Sequence, residues 1–278
     1  MTRIVVDSTS DLPTATMEEL GILMVPLKVH FGTEEFRDRV ELGQDDFFKK
    51  LAEASELPKT SQPSPGEFLE AYQRIPDNDS ILSIHLSEKL SGTYQSAVLA
   101  ARELPGRDIR VIDTGNVTAA AGLLVLVASD MLKQGKGPEE VEEALVEMRE
   151  RTRLLAILDT LKYAVMGGRV SKVQGALGGL LRVKAVMLVQ MGEIHRLPPA
   201  RTWGQAFRRV VDDIKAHGGA DRIAVIDAQA PDSRAALRAE LEKTFPGTPI
   251  VEGSLGAVIG THAGPGAVGC AYIAKRAG

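Results

Sequence analysis

The chain has 278 residues, 33 of them Lys or Arg against 37 Asp or Glu, so its formal charge is −4. That balance excludes a nucleic-acid or anionic-lipid binder working through bulk positive charge, and 44% hydrophobic with 25% charged residues excludes a disordered chain. A single cysteine, Cys270, excludes an internal disulfide and a cysteine-built zinc site.

Residues 3–7 are a β-branched run that predicts a strand rather than a signal peptide, and a cytoplasmic location is expected. Residues 13–20 read as a helix, with Pro13 in its first turn and Gly21 as its stop. Residues 22–31 are extended, and 45–54 form an amphipathic helix. The stretch 57–65, LPKTSQPSP, is a loop on its prolines alone. A helix (66–74), a strand (80–85), a helix (92–103) and a strand (109–113) follow, then helices at 118–133 and 138–151. The small-apolar run 119–128 is too short to cross a bilayer, so no integral membrane segment is expected.

The second half restarts with a strand at 154–158 and a glycine-rich stretch at 167–179. Strands at 183–189 and 193–197 flank Gln190-Met191-Gly192, which reads as a hairpin turn. A helix (203–216), a strand (222–227), a helix (233–244), strands near 249–252 and 257–260, and a last helix (266–275) complete the chain. Strands separated by helices predict an α/β protein with mainly parallel sheets. The expected division is residues 1–152 and 153–278, with no internal repeat. Aromatic residues are scarce, one Trp, four Tyr and seven Phe, which disfavours binding by base or sugar stacking and leaves an aliphatic core.

Four loops put hydroxyl or cationic groups where strands end, the place where open α/β sheets bind ligands. Asp7-Ser8-Thr9-Ser10-Asp11 is either a helix-capping loop or a ligand loop, with Asp7 accepting neighbouring N–H groups. Thr60-Ser61-Gln62-Pro63-Ser64-Pro65 is a proline-stiffened connector or the wall of a polar pocket. Ser91-Gly92-Thr93 is a cap or a compact anion site of hydroxyls and free helix-start N–H groups. His262 lies among glycines in a loop expected to run from strand to helix. Arg169 follows paired glycines and Arg201 precedes a helix; each is a surface ion pair or a grip for carboxylate or phosphate.

In this order the chain carries VVDSTSDLP, PKTSQPSPGEF, IHLSEKLSGTYQSA, VIDTGNV, LKYAVMGGRVSK and THAGPGAVG. Together, from residue 4 to about 270, these motifs resemble the DegV family of bacterial fatty-acid-binding proteins. The sequence departs at Arg39, where the family usually has Gly, and at Lys184-Ala185-Val186, where Lys-Pro-Ile is common. The first is expected to alter a surface turn, the second the tunnel or a backbone kink.

The resemblance implies a two-domain α/β fold with one long-chain fatty acid in a tunnel at the domain interface. In members that serve as subunits of bacterial fatty acid kinase, the binder presents the carboxylate to a separate ATP-using subunit, which forms the acyl phosphate. Carried over by motif, the headgroup meets Thr60 or Ser61, the Ser91-Gly92-Thr93 turn and His262, with Arg201 nearby for the added phosphate and Arg169 docking the kinase subunit. The resemblance implies no catalytic residue, metal or cofactor in this chain beyond the bound lipid.

Two other classes compete. Ser91 as nucleophile with His262 as base would make an esterase or acyl transferase, but Ser91 lacks the Gly-x-Ser-x-Gly elbow and no acid is assigned to orient His262. A nucleotide binder is disfavoured because no Gly-x-x-x-x-Gly-Lys-Ser/Thr occurs and no Gly-x-Gly-x-x-Gly is read directly after a strand.

Overall fold

The computed structural model describes residues 1–170 and 183–276. Ser171, Lys172 and the glycines from 175 to 179 of the expected glycine-rich stretch lie outside the described residues.

The first half runs β1 (Thr2–Asp7), α1 (Thr14–Glu19), β2 (Leu23–Val25), β3 (Lys28–Phe31), β4 (Glu34–Arg37), α2 (Gln44–Glu53), β5 (Lys59–Ser61), α3 (Pro65–Gln73), β6 (Ser80–His85), α4 (Thr93–Arg102), β7 (Ile109–Asp113), α5 (Thr118–Lys133) and α6 (Pro138–Glu150). The second half runs β8 (Thr152–Leu158), α7 (Lys162–Met166), β9 (Ala185–Gln190), β10 (Glu193–Arg196), α8 (Trp203–Ala216), β11 (Ala220–Asp227), α9 (Pro231–Thr244), β12 (Ile250–Ser254), α10 (Ala257–Ala263) and β13 (Val268–Ala274).

The α/β class is as expected. A four-stranded sheet of order β2-β1-β6-β7 is parallel throughout. The six-stranded sheet, β10-β9-β8-β13-β11-β12, is antiparallel in every pairing except β11 with β12, so the expectation of mainly parallel sheets holds only for the first. A small antiparallel sheet, β4-β3-β5, accompanies them.

Two elements correct the sequence reading and cause that difference. Residues 266–275, expected as a helix, contain strand β13, and 257–260, expected as a strand, open helix α10. Every residue of β13 is buried, so it shows no alternation, and its Gly and Ala residues imitate a small-residue helix. The segment Gly264 to Gly269 has Gly-x-Gly-x-x-Gly spacing but leads from a helix into a strand, the reverse of a dinucleotide loop.

Helix α5 lies between the two large sheets. Its residues from Thr118 to Val125 are all buried, as a helix apolar around its whole circumference must be. Gly122 allows the approach: a Cβ there would sit 2.6 Å from the Ser10 carbonyl oxygen. The β9–β10 turn has Met191 at φ +50° and Gly192 at φ +69°, the two left-handed residues of a type I′ hairpin. Its tip rests on the first half, where Gly192 N–H donates to Gly115 O at 2.6 Å.

Asp7 does organise its neighbours. It accepts from Thr9 N–H at 2.9 Å and Leu86 N–H at 3.0 Å, and faces His85 Nδ1 at 3.1 Å. Burial opposes its charge, but the His85 contact and these donors outweigh burial and hold the carboxyl below its usual range. Arg39 is not a simple surface turn. It adopts φ +64° and is partly buried, donating from Nη2 to Leu12 O at 2.6 Å and lying 3.5 Å from Asp11 Oδ1.

Candidate functional site: an aliphatic cavity with one polar end

A cavity of about 700 Å³ lies against the six-stranded sheet, within the range of small-molecule sites. Its sheet wall follows strand periodicity. Leu154, Ala156 and Leu158 of β8 and Met187 and Val189 of β9 face it at every second position. Its helical wall is α10 with Leu255, two residues before it: Leu255, Val258, Ile259 and His262, at the spacing of one helix face. That face is apolar until its last member, so His262 marks the polar end.

At that end β5 supplies Thr60 and Ser61, held in register against Val29 and Lys28 of β3. The β6–α4 loop supplies Ser91 and Gly92. The hydroxyl of Thr60 lies 3.1 Å from His262 Nε2, and that of Ser61 lies 2.8 Å from His30 Nε2. Gln62, which also lines the cavity, lies flat on Gly92: a Cβ there would come within 2.4 Å of its side-chain oxygen. Gln62 Nε2 donates to Ser96 Oγ at 3.3 Å.

The cap at α4 differs in detail from expectation. Gly92, not Ser91, is the N-cap residue, and Ser91 Oγ accepts from Thr93 N–H at 3.3 Å. The two hydroxyls are 2.9 Å apart. Thr93 is buried behind Ser91 and is not among the cavity-lining residues; it orients the Ser91 hydroxyl. At α3 the cap is Ser64, in a full capping box with Glu67.

His262 sits in the last turn of α10 rather than in a strand-to-helix loop. Its Nδ1 is buried with no hydrogen-bond partner among the described residues. Gly167 lies so close that a Cβ there would be 2.2 Å from that nitrogen. Burial, and then the charge of Arg169, push the imidazole down to about 4, so it is neutral at physiological pH.

Arg169 lines the rim of the same cavity and is exposed, its Nη1 donating to Gly167 O at 2.9 Å. Lys89 and Glu88 lie at the lining too. Arg201 is not brought to the cavity. It is exposed, and its backbone N–H donates to Gln205 Oε1 at 2.9 Å.

The arrangement suits an amphiphile with a long aliphatic body and a compact anionic head. Hydroxyls, a carboxamide and a neutral imidazole offer hydrogen bonds, with one guanidinium at the rim. It does not suit acyl-enzyme chemistry. Ser91 bonds to Thr93 and His262 to Thr60, and among the described residues no carboxylate orients the imidazole. A base held near 4 is also poor at activating a hydroxyl at neutral pH. Among the described residues no cluster of His, Cys, Asp and Glu fits a metal ion, and no helix is long and apolar enough to cross a membrane.

Of the ligand set implied by the resemblance, Thr60, Ser61, Ser91, Gly92 and His262 line the cavity and Thr93 and Arg201 do not, while Arg169, expected only to dock a partner, lies at the rim. Sequence reasoning passed over Gln62 and the aliphatic walls. The signal for the α10 wall was present, since Leu255, Val258, Ile259 and His262 have helical spacing.

Comparison with known proteins bears on the same features. Residues 1–275 match the family described as "Uncharacterised protein, DegV family". A DegV family protein from Thermus thermophilus, solved for its fatty-acid binding, is 35% identical, with a TM-score of 0.89 and 99% of each chain covered. DegV of Bacillus subtilis, described as a fatty acid binding protein, is 33% identical, with a TM-score of 0.88 over 99% of each chain. The Fatty Acid Kinase (Fak) B3 protein of Streptococcus pneumoniae, solved loaded with linoleic acid, is 26% identical, with a TM-score of 0.87 over 99% of this chain and 100% of that one. With a cavity of this shape and a family match over nearly its whole length, the chain belongs to the DegV family.

Proposed function

We propose that this protein holds one long-chain fatty acid in the cavity, with the tail along the β8, β9 and α10 walls and the carboxylate at the polar end. The observation that carries the reading is the one-sided polarity of the cavity: aliphatic along its length, with Thr60, Ser61, Gln62, Ser91 and a neutral His262 at one end. Support also comes from the fatty-acid binding of the Thermus and Bacillus relatives. Each buried methylene contributes about 0.8 kcal/mol, so a sixteen-carbon tail gains roughly 10 kcal/mol before the costs of ordering. The headgroup must be hydrogen-bonded or its desolvation cancels much of that gain, and neutral donors meet the need without a tight ion pair.

The finer reading is that the protein is a carrier. It presents the carboxylate to a separate ATP-dependent kinase subunit, which forms the acyl phosphate, and Arg169 at the rim is where that subunit docks. The likeness to the Fak B3 protein supports it. A partner that uses ATP puts the carrier in the cytoplasm. Residues 1–152 and 153–278 are read as the two domains whose facing surfaces build the tunnel; Arg201, away from the cavity lining, is not part of the proposed ligand set.

The test is native mass spectrometry and organic extraction of the purified protein, followed by reconstitution with a fatty acid kinase catalytic subunit. One co-purified fatty acid per chain and ATP-dependent acyl phosphate are the expected results. A protein that takes up no fatty acid from a defined mixture overturns the first reading, and a loaded protein that no such subunit phosphorylates overturns the second.

A further inference from the structure

A second cavity of about 130 Å³ lies next to the first, bounded by α5, β11, β12 and the loop after β1. Ile226 lines both cavities. In the six-stranded sheet Ile226 is paired with Gly269 of β13 on one side and Gly253 of β12 on the other. Residues paired across strands share a face, so Ile226 stands as a lone side chain between two bare positions. Gly269 lines the main cavity and Gly253 the small one. The side chain reaches both ways: a Cβ on Gly269 would lie 2.9 Å from Ile226 Cγ2, and one on Gly253 would lie 3.8 Å from Cδ1. Beside it, the wall is completed by a buried hydrogen bond of 2.6 Å from Thr118 Oγ1, on the main-cavity side, to Asp11 Oδ2, on the small-cavity side.

The partition stands at the end remote from the headgroup. His262 is in the last turn of α10, while Leu255, just before its first turn, donates its N–H to Asp227 O at 2.9 Å, next to Ile226. Seven residues separate Leu255 from His262, about 10 Å along a helix axis at 1.5 Å per residue. We propose that Ile226 is the specificity-determining residue that ends the tail channel, and that the small cavity behind it is an extension holding the last carbons of a longer acyl chain when Ile226 is shortened. The inference rests on the fatty-acid reading of the main cavity.

The experiment loads delipidated protein from an equimolar mixture of saturated fatty acids of even chain length and measures the bound profile by extraction and mass spectrometry. Wild type is expected to give a profile with one maximum. Ile226→Ala moves that maximum to acids longer by two or more carbons, and Ile226→Val, which loses only the Cδ1 facing Gly253, moves it less in the same direction. Leu126 lines the small cavity alone, so Leu126→Phe leaves the wild-type profile unchanged and, combined with Ile226→Ala, restores it. Should Ile226→Ala fail to fold, Ile226→Val carries the test. Variants that load with the wild-type profile overturn the role of Ile226 while leaving the carrier reading intact. A wild type that loads no fatty acid overturns the carrier reading itself, and this inference with it.

Discussion

His262 Nε2 and Thr60 Oγ1 are 3.1 Å apart, although 202 residues separate them in the chain. The contact ties the last turn of α10 to β5 and leaves Nδ1 buried without a partner among the described residues. Protonating the ring therefore costs the folded state. Its folded pKa, about 4, is below the 6.5 of the unfolded chain, so between these values the unfolded state binds more protons and stability rises with pH. The stability difference between wild type and His262→Gln should rise by about 1 kcal/mol per pH unit from pH 4 to 6.5 and then level off. Taking the difference cancels the opposite trend from Asp11 and Asp38, whose carboxyls burial raises to about 7 and about 6. Urea melts at several pH values check this; a flat difference refutes the assignment.

Ser91 is half-buried and its hydroxyl bonds only to Thr93 among the described residues, so removing that hydroxyl leaves the fold in place. Ser91→Ala should melt within about 1 kcal/mol of wild type and hold fatty acid roughly tenfold more weakly, the loss of one hydrogen bond to a charged group. Calorimetric titration with a long-chain acid reads the second effect. Unchanged affinity would remove Ser91 from the headgroup site.

Arg169 stands at the rim, exposed, and close enough to depress His262. Arg169→Glu should keep one fatty acid per chain but weaken its binding several-fold, more at low salt than at high, because a rim charge is screened within about 10 Å at 0.1 M. It should abolish phosphorylation by the kinase subunit. Full coupled activity in this variant rules out the rim as the docking point.

Gly264 ends α10 at φ +74° and ψ 170°, a conformation essentially restricted to glycine. A Cβ there would lie 2.1 Å from the Tyr163 ring. Gly264→Ala should therefore cost about 3 kcal/mol, from backbone strain and overpacking together. Thermal and urea melts measure it, and a loss below 1 kcal/mol contradicts the packing described.

Arg39 occupies a left-handed position that glycine fills more easily, yet its guanidinium faces the buried Asp11. Burial, more than any other influence, raises Asp11 and Asp38, and Arg39 opposes it. With folded pKa values above the unfolded 3.8, these carboxyls lose stability as pH rises through the interval up to about 7. Arg39→Met should cost about 2 kcal/mol at pH 8, where both are ionised, and clearly less at pH 5, where both carry protons. A cost equal at the two pH values refutes the pairing.

The elements most legible in the sequence are those with local signals. Gln190-Met191-Gly192 reads as a hairpin turn and is one, and Pro13 and Gly21 bracket helix α1 as expected. The polar residues of the site were legible because they lie in short, distinctive motifs, although Thr60 and Ser61, expected in a loop, lie in strand β5, and His262, also expected in a loop, lies in helix α10. Strand β13 was not, because burial on both faces erases alternation, and without it the antiparallel centre of the second sheet cannot be inferred. Ile226 was invisible for a related reason. Its importance comes from the glycines on either side of it across the sheet, and strand order is a property of the assembled sheet that no stretch of sequence displays.

The position of β13 also sets an order of events during synthesis. It follows β8 and β11 in the sequence, yet it fills the gap between them. Until residue 274 has left the ribosome, the two parts of that sheet have open edges facing each other, a form exposed to mispairing. Gly269 arrives with this strand, so the main cavity gains this part of its wall only once β13 has docked between β8 and β11.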